Sequence, residues 1–316
     1  MLGWFARRMA FALLTLLGVA VITYGMIRVL RPELDPGTPV LSGTLDDVER
    51  GFLHFDWGRA CSWKGCPPVR GFFVRGFAAD LWLIGGALVL GIGAGLVAAM
   101  WCARRPRSRR ARAMQILAAV LYCTPVYVVG FGLLLLFNAN FGAFPIPGLF
   151  DAESTWAQPW SNPWDWFRTL AVPWVVLAAP VAAMCMRLSL AVMHDELGAD
   201  YVRTAYAKGL SPRRVMSRHV APTAYTATAS FVGVSIPLIV INLILVERAF
   251  GVPGFFVNTY RATGHVFNWR GDPVIDIPLL QAISIWAAVF IVAIGIAVDL
   301  VLVRLDPRIR HAGPPV

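Results

Sequence analysis

Lysine is all but missing from this chain: Lys64 and Lys208 are the only two among 316 residues. Neither completes the G-x-x-x-x-G-K-[ST] pattern in which backbone amides and a lysine cradle nucleotide phosphates, so the chain has no ATPase cradle of that kind. It also lacks H-E-x-x-H, which would set two histidines on one helix face for zinc, and the G-x-S-x-G turn that exposes a nucleophilic serine. Charge of either sign is scarce as well. Charged residues make up 15% of the sequence against 58% hydrophobic ones, far more apolar surface than a soluble core needs. These absences exclude a self-powered ATPase and argue against an enzyme. We expect no catalytic residue, no bound metal and no cofactor.

The charges that exist are segregated. No Asp, Glu, Lys or Arg occurs between Arg8 and Arg28, from Leu81 to Ala103, from Ala113 to Phe150, from Thr169 to Met186, from Val220 to Val246, or from Ile277 to Val298. At about 1.5 Å of helix rise per residue, each interval is long enough to cross a hydrocarbon layer about 30 Å thick. A charge at that depth costs about 3 kcal/mol, which gives the pattern its meaning. The expected fold is all-α, a polytopic transmembrane helix bundle of about six spans. Loop residues Asn138, Asn140, Gly142 and Pro145 mark the end of the third span. The fourth is short and holds Pro173 and Pro180, which neighbouring membrane helices tolerate. Arg7 and Arg8 open the first apolar stretch as in a signal peptide. That stretch is too long for a signal core, and no small-x-small site follows Tyr24, so it reads as an uncleaved anchor.

The net charge of +10 is unevenly placed. Arg7 and Arg8, the acid-free run Arg104, Arg105, Arg107, Arg109, Arg110 and Arg112, the group Arg203, Lys208, Arg213, Arg214 and Arg218, and the terminal Arg304, Arg308 and Arg310 all fall on one side of a six-span topology. The other side carries Glu33, Asp35, Asp46, Asp47, Glu49 and Asp56, then Asp151, Glu153 and Asp165 against Arg168. The positive-inside rule therefore expects both termini in the cytoplasm. So close to two spans, the arginine run fits anionic lipid headgroups of the bilayer rather than nucleic acid.

Cys102, Cys123 and Cys185 lie in or beside spans as small apolar fillers. Cys61 and Cys66 share the expected external loop; they read either as a disulfide or as two idle thiols, with only His54 nearby and too few ligands for zinc. Gly91, Gly93 and Gly95 form G-x-G-x-G within a span and read as close helix packing rather than a phosphate loop.

The most informative stretch is Asp195 to Pro222, DELGADYVRTAYAKGLSPRRVMSRHVAP. Leu197, Tyr201, Ala205 and Leu210 approximate helical spacing, so a first short helix is expected from about Leu197 to Lys208. Gly209 sits where a helix ends in a left-handed residue. Ser211 suits an N-cap and Pro212 a first helical position, with Val215 and His219 one turn apart behind them. A helix–Gly–helix elbow between two spans is either a docking knob for a soluble partner or a solvated connector.

Within this stretch D-Y-V-R-T-A-Y-A-K-G-L, followed by R-R-V and R-H, resembles the EAA loop of permease subunits in binding-protein-dependent ATP-binding-cassette importers, and most of all the dipeptide and oligopeptide type. Gly209 matches the motif's glycine, Ala205 its second alanine and Pro222 its proline. Arg203 and Thr204 stand in place of its Glu and first Ala, His219 and Ala221 in place of its Ile and Leu, and Tyr206 in place of the usual Arg. Phe5-Ala6-Arg7-Arg8 with the apolar anchor after it, Phe55-Asp56-Trp57-Gly58-Arg59, the run Val246-Glu247-Arg248-Ala249-Phe250-Gly251-Val252-Pro253-Gly254, and Leu305-Asp306-Pro307-Arg308-Ile309-Arg310 resemble four further segments of the family in the same order. The family's G-D-P signature after the first span is not intact.

The resemblance implies a type I importer permease fold. It divides the chain into an anchor with its external loop, residues 1–79, and a permease core, residues 80–316, with the coupling loop at 193–222. It implies a second permease subunit, two cytoplasmic ATPase subunits, an external solute-binding protein, a bacterial inner membrane, and a peptide as solute. It assigns ATPase docking to Asp200, Tyr201, Arg203, Thr204, Ala205, Ala207, Lys208, Gly209, Leu210, Arg213 and Arg214. The competing readings are a secondary transporter or channel, whose spans usually hold mid-membrane charges, and a membrane-embedded enzyme. Co-purification of ATPase subunits separates the importer from both.

Overall fold

A computed structural model describes residues 2–30, 32, 37–61, 65–140, 159–267 and 273–305. The acids Asp151 and Glu153 and the D-P-R-x-R terminus lie outside the described residues. The chain is a multi-pass membrane protein built almost wholly from helices. In order these are α1 (Leu2–Leu30), α2 (Val40–Leu53), α3 (Val69–Ala103), α4 (Arg109–Cys123), α5 (Val126–Asn140), α6 (Pro163–Leu197), α7 (Asp200–Ala207), α8 (Pro212–Val215), a π-helical turn (Met216–Val220), α9 (Ala221–Phe250), α10 (Thr259–Ala262) and α11 (Ile277–Leu305). Strands β1 (Thr263–Phe267) and β2 (Pro273–Ile275) form one antiparallel hairpin before α11, an addition to the all-helical expectation.

Four stretches are each long and apolar enough to cross a membrane alone: Phe5–Leu30, Val69–Ala103, Pro163–Leu197 and Ile277–Arg304. Two bent pairs bring the number to six if each pair is one span. The first pair is α4 with α5, bent by 104°. Its cause is local. Thr124 precedes a proline, whose ring pushes it out of the helical region to φ −84° and ψ 126°. The Val120 carbonyl keeps its helical bond from the Thr124 amide at 2.9 Å and accepts the Thr124 hydroxyl as well at 2.7 Å, while Pro125 has no N–H to offer the Leu121 carbonyl. The second bend, 57° in α9 beyond Gly233, precedes Pro237, whose ring opposes the Gly233 carbonyl one turn back. By contrast α6 runs through Pro173 and Pro180 for 35 residues, longer than the short span expected there. Its start is set by Asn162, whose side chain accepts the Asp165 amide, with Pro163 as the first helical residue.

Two compact units form, Met1–Asp80 with Pro253–Ile294, and Leu81–Val252 with Gly295–Val316. In the first, α2 lies along α1 with Arg28 paired to Asp47 at 2.8 Å. Trp57, Phe73, Phe255 and Trp286 pack ring on ring, with Phe73 and Trp286 stacked at a centroid distance of 3.8 Å. Gly76 and Asp80, one turn apart on α3, clasp the turn at Gly254 and Phe255. A Cβ on Gly76 would stand 2.2 Å from the Phe255 nitrogen, and the fully buried Asp80 carboxylate accepts that same amide with both oxygens at 3.1 Å. Arg59 and Pro68 form a bridge that closes a small loop, and the Sγ atoms of Cys61 and Cys66 within it lie 2.10 Å apart.

In the second unit, a Cβ on Gly91 would meet Val181 at 2.8 Å and one on Gly95 would meet the Ala182 carbonyl at 2.6 Å, so these two glycines permit α3 to approach α6. Gly93 does not share that role: a Cβ there meets nothing within 4 Å. Trp174 of α6 donates its indole N–H to the Trp82 carbonyl at 2.8 Å, and a buried Ser189–Thr228 hydrogen bond of 2.6 Å ties α6 to α9.

Candidate functional site: the elbow between α6 and α9

Helix α6 ends at Leu197, capped by Gly198, and a new helix, α7, begins at Asp200. The first short helix is thus two or three residues shorter at its start than the spacing suggested. Its end is as the sequence indicated. Gly209 has φ +79°, the left-handed region in which a side chain costs energy and glycine does not. There the amide of Gly209 donates to the Tyr206 carbonyl at 2.9 Å and the amide of Leu210 to the Ala205 carbonyl at 3.2 Å. That pair of bonds is the Schellman closure, and it is sealed by an apolar residue just past the glycine, Leu210, which packs against the same cluster as Ala205.

Helix α8 starts from Ser211, whose extended backbone (ψ 147°) lets its carbonyl accept the amides of Arg214 and Val215 at 2.9 and 3.0 Å. The Ser211 side chain makes no cap hydrogen bond, so the serine marks the position without supplying the bond that makes serine a favoured cap. From Pro212 the chain stays helical through the π turn into α9.

Burial divides the elbow in two. Val202, Ala205, Val215, Met216 and Val220 are buried against Cys102 and Ala103 of α3, Ala111 of α4 and Met193 of α6. Asp200, Tyr201, Arg203, Thr204, Ala207, Lys208, Gly209, Arg213 and Arg214 are exposed, Leu210 is half-buried, and Ala205 belongs to the root. The expected apolar face is therefore corrected by one position. Tyr201 points outward and Val202 inward, because Val202 and Ala205 keep the three-residue spacing of a short helix against its support. Likewise Met216 and Val220 join Val215 in the root, while His219 is only half-buried. Sequence reasoning missed Val202, Met216 and Val220; reading the π turn as one more helical turn would have found the last two.

Tyr201 donates its phenolic proton to Glu196, the last acid of α6, with the His219 carbonyl 3.4 Å away. Partial desolvation, with the Glu196 hydrogen bond and charge behind it, holds the Tyr201 phenol up to about 12. Thr204 returns its hydroxyl proton to the Asp200 carbonyl at 2.9 Å, and Arg203 faces the Asp200 carboxylate at 3.7 Å across open solvent, a contact of small energetic weight. What remains outward is a mostly cationic rim without a nucleophile–base pair. Among the described residues no group of His, Cys, Asp and Glu is placed to hold a metal.

A cavity of about 290 Å³ opens in the same unit, where the α4–α5 break, Pro180 of α6 and the bent part of α9 meet. Thr124, Ser235 and Asn242 give it polar atoms, and no charged side chain lines it.

Residues 91–311 match the family described as binding-protein-dependent transport system inner membrane component. The dipeptide transport system permease protein of Escherichia coli is 25% identical to this chain over 98% of it and 99% of that protein. An oligopeptide transport system permease protein of Mycobacterium tuberculosis is 29% identical over 77% of this chain and 73% of its own length. A probable peptide ABC transporter permease protein of Sinorhizobium fredii is 30% identical over 63% of this chain, which spans 59% of that relative.

Proposed function

Because the chain belongs to the family of binding-protein-dependent transport system inner membrane components, we propose that it is one permease subunit of an importer that carries di- or oligopeptides across a bacterial inner membrane. A binding protein outside delivers the solute, and separate ATPase subunits inside supply the energy this chain has no means of generating. A second, similar permease completes the path, and both termini face the cytoplasm. The peptide assignment is supported by what the relatives are named for.

The observation that carries this reading is the division of the elbow into a buried root and an exposed rim. A solvated connector has no need of five buried residues and a Schellman closure; a docking lever does. The rim residues Asp200, Tyr201, Arg203, Thr204, Ala207, Lys208, Gly209, Arg213 and Arg214 meet the ATPase, with Leu210 and Ala205 holding the shape behind them. Solute passes along the cavity at the α4–α5 break. Its uncharged lining suits a carrier that has to release many different side chains and therefore binds none of them tightly.

The test is Gly209 in proteoliposomes that contain the complete complex. A Cβ at this position meets nothing within 4 Å, so the cost of any side chain is the left-handed backbone, about 1–2 kcal/mol. Gly209→Ala should keep most ATP-driven peptide uptake. Gly209→Glu adds bulk and charge at the rim, and should leave abundance unchanged while separating ATP hydrolysis from uptake. Wild-type uptake by Gly209→Glu at normal abundance would show that the elbow is not the coupling element.

A further inference from the structure

Helices α3, α4 and α6 leave a groove of about 540 Å³ beside the elbow's root. On α3 it is lined by Ala94, Ala98 and Trp101, and on α4 by Met114, Leu117 and Leu121. Each set repeats at three or four residues, so each is one stripe of its helix, and the two stripes face each other. The small side chains on α3 create the space, and the lining holds no charged side chain.

Both stripes run toward the turn that joins α3 to α4. Arg105 stands one helical turn beyond Trp101 in sequence, and its guanidinium lies 5.4 Å from the centre of the Trp101 ring. Arg110 stands one turn before Met114 and falls on the same face of α4. The turn and its flanks carry six arginines, from Arg104 to Arg112, and no acid. All six are exposed, and the ion pairs among the described residues involve none of them.

We propose that this groove is a binding site for an anionic phospholipid, with one acyl chain between α3 and α4 and the phosphate held by Arg105 and Arg110. A soluble anion has no use for the apolar groove, and an uncharged chain has no use for the arginines. A phospholipid with a net negative headgroup uses both, at the level where a tryptophan at the end of a span is favoured. The arginine beside the indole keeps its cation–π contact while its outer N–H groups remain open to phosphate oxygens. The site rests on α3 and α4 lying in a bilayer and not on the importer reading. It would place a lipid against the buried root of the elbow, where headgroup composition can stiffen or loosen that root.

The experiment uses the full chain, purified in mild detergent with whatever subunits accompany it, and titrates in phospholipids brominated on the acyl chains. Bromine quenches tryptophan on contact, and subtracting the signal of a Trp101→Phe preparation isolates Trp101 from the other eleven tryptophans. Brominated phosphatidylglycerol should quench Trp101 at about one-thirtieth the mole fraction that brominated phosphatidylcholine requires, as two arginines at an anionic headgroup imply. Arg105→Gln with Arg110→Gln, both on the surface and safe for folding, should bring the two lipids within about twofold. Ala98→Leu should weaken quenching by both lipids by narrowing the groove. Equal potency of the two lipids on the wild type would overturn the proposal, as would a preference that survives loss of both arginines. Absence of quenching by either lipid would mean that a partner helix, not a lipid, fills the groove.

Discussion

Replacing Gly76 by alanine asks how much the clasp on the Gly254–Phe255 turn is worth. The added Cβ would stand 2.2 Å from the Phe255 nitrogen, 2.5 Å from the Gly254 carbonyl carbon and 2.6 Å from the Phe255 Cα. All three are backbone atoms, so no side-chain rotation relieves the overlap and the turn has to lift from α3. Overpacking of this kind costs about 1–3 kcal/mol. Lifting also lengthens both 3.1 Å contacts between the Phe255 amide and the buried Asp80 carboxylate; a hydrogen bond to a charged group is worth about 1.5–3 kcal/mol. Together the loss is about 2.5–6 kcal/mol, less whatever helix propensity alanine returns. Thermal unfolding in mild detergent should show Tm lowered by at least about 5 °C. Gly85→Ala is the matched control, because it lies on the same helix, is exposed, and its Cβ would meet nothing within 4 Å. It should hold or raise Tm, since alanine is favoured over glycine in a helix by about 1 kcal/mol. A Gly76→Ala protein as stable as Gly85→Ala would refute the clasp as an energetic feature.

Three further outcomes are expected. Reporters fused after Pro106 and Pro212 should both sit in the cytoplasm and one placed within residues 46–59 outside, as the arginine distribution requires; a cytoplasmic signal from the latter would reverse the topology. Mass mapping without reductant should recover Cys61 and Cys66 as one cross-linked peptide, and two free thiols would remove the disulfide. In a spectrophotometric titration, subtracting Tyr201→Phe from wild type should leave a phenol with a midpoint near 12. The sign follows from linkage: the unfolded phenol loses its proton near its ordinary value of 10, so the contribution is intact below that and fades as pH rises toward 12. A midpoint at 10 would mean that neither the desolvation nor the Glu196 hydrogen bond holds in solution.

The spans were legible because the cost of a charge in hydrocarbon acts on each residue separately and leaves a one-dimensional trace. Bends were not, because the charge-free interval through Thr124 and Pro125 reads the same whether the helix runs straight or turns by 104°. Gly209 was legible for a local reason, a left-handed helix end before a Ser-Pro start. The inward face of α7 was not, since two turns of helix offer both Tyr201 and Val202 as apolar candidates and only the supporting helices decide between them. Asp80 escaped notice by bordering a charge-free interval, where it reads as the end of a span; its partner is a backbone amide far along the chain, which leaves no mark in the sequence. Gly93 was grouped with Gly91 and Gly95 by spacing, but at a period of 3.6 the middle glycine of such a run faces away from the other two.

A lever is useful only if its far end is connected to something that can move. From Pro212 to Phe250 the chain is helical without interruption, through α8, the π turn and α9. The π turn widens the helix by one residue just where the buried root ends, and single π turns of this kind are frequent at functional sites. On the importer reading, a displacement of the rim at Arg213 and Arg214 would be passed along helix as far as the bend rather than absorbed in a loop. Helix α9 is tied laterally to α6 by the buried Ser189–Thr228 bond, and Val232, Ile236, Ile239, Val240 and Leu243 stay buried in the segment beyond it. That segment contains the Pro237 bend, and Ser235, Leu238 and Asn242 beside the bend line the cavity at the α4–α5 break. On the importer reading, a small rotation at the elbow reaches the cavity as a change in the α9 bend. The proline that weakens that helix by removing a hydrogen bond also fixes where it yields.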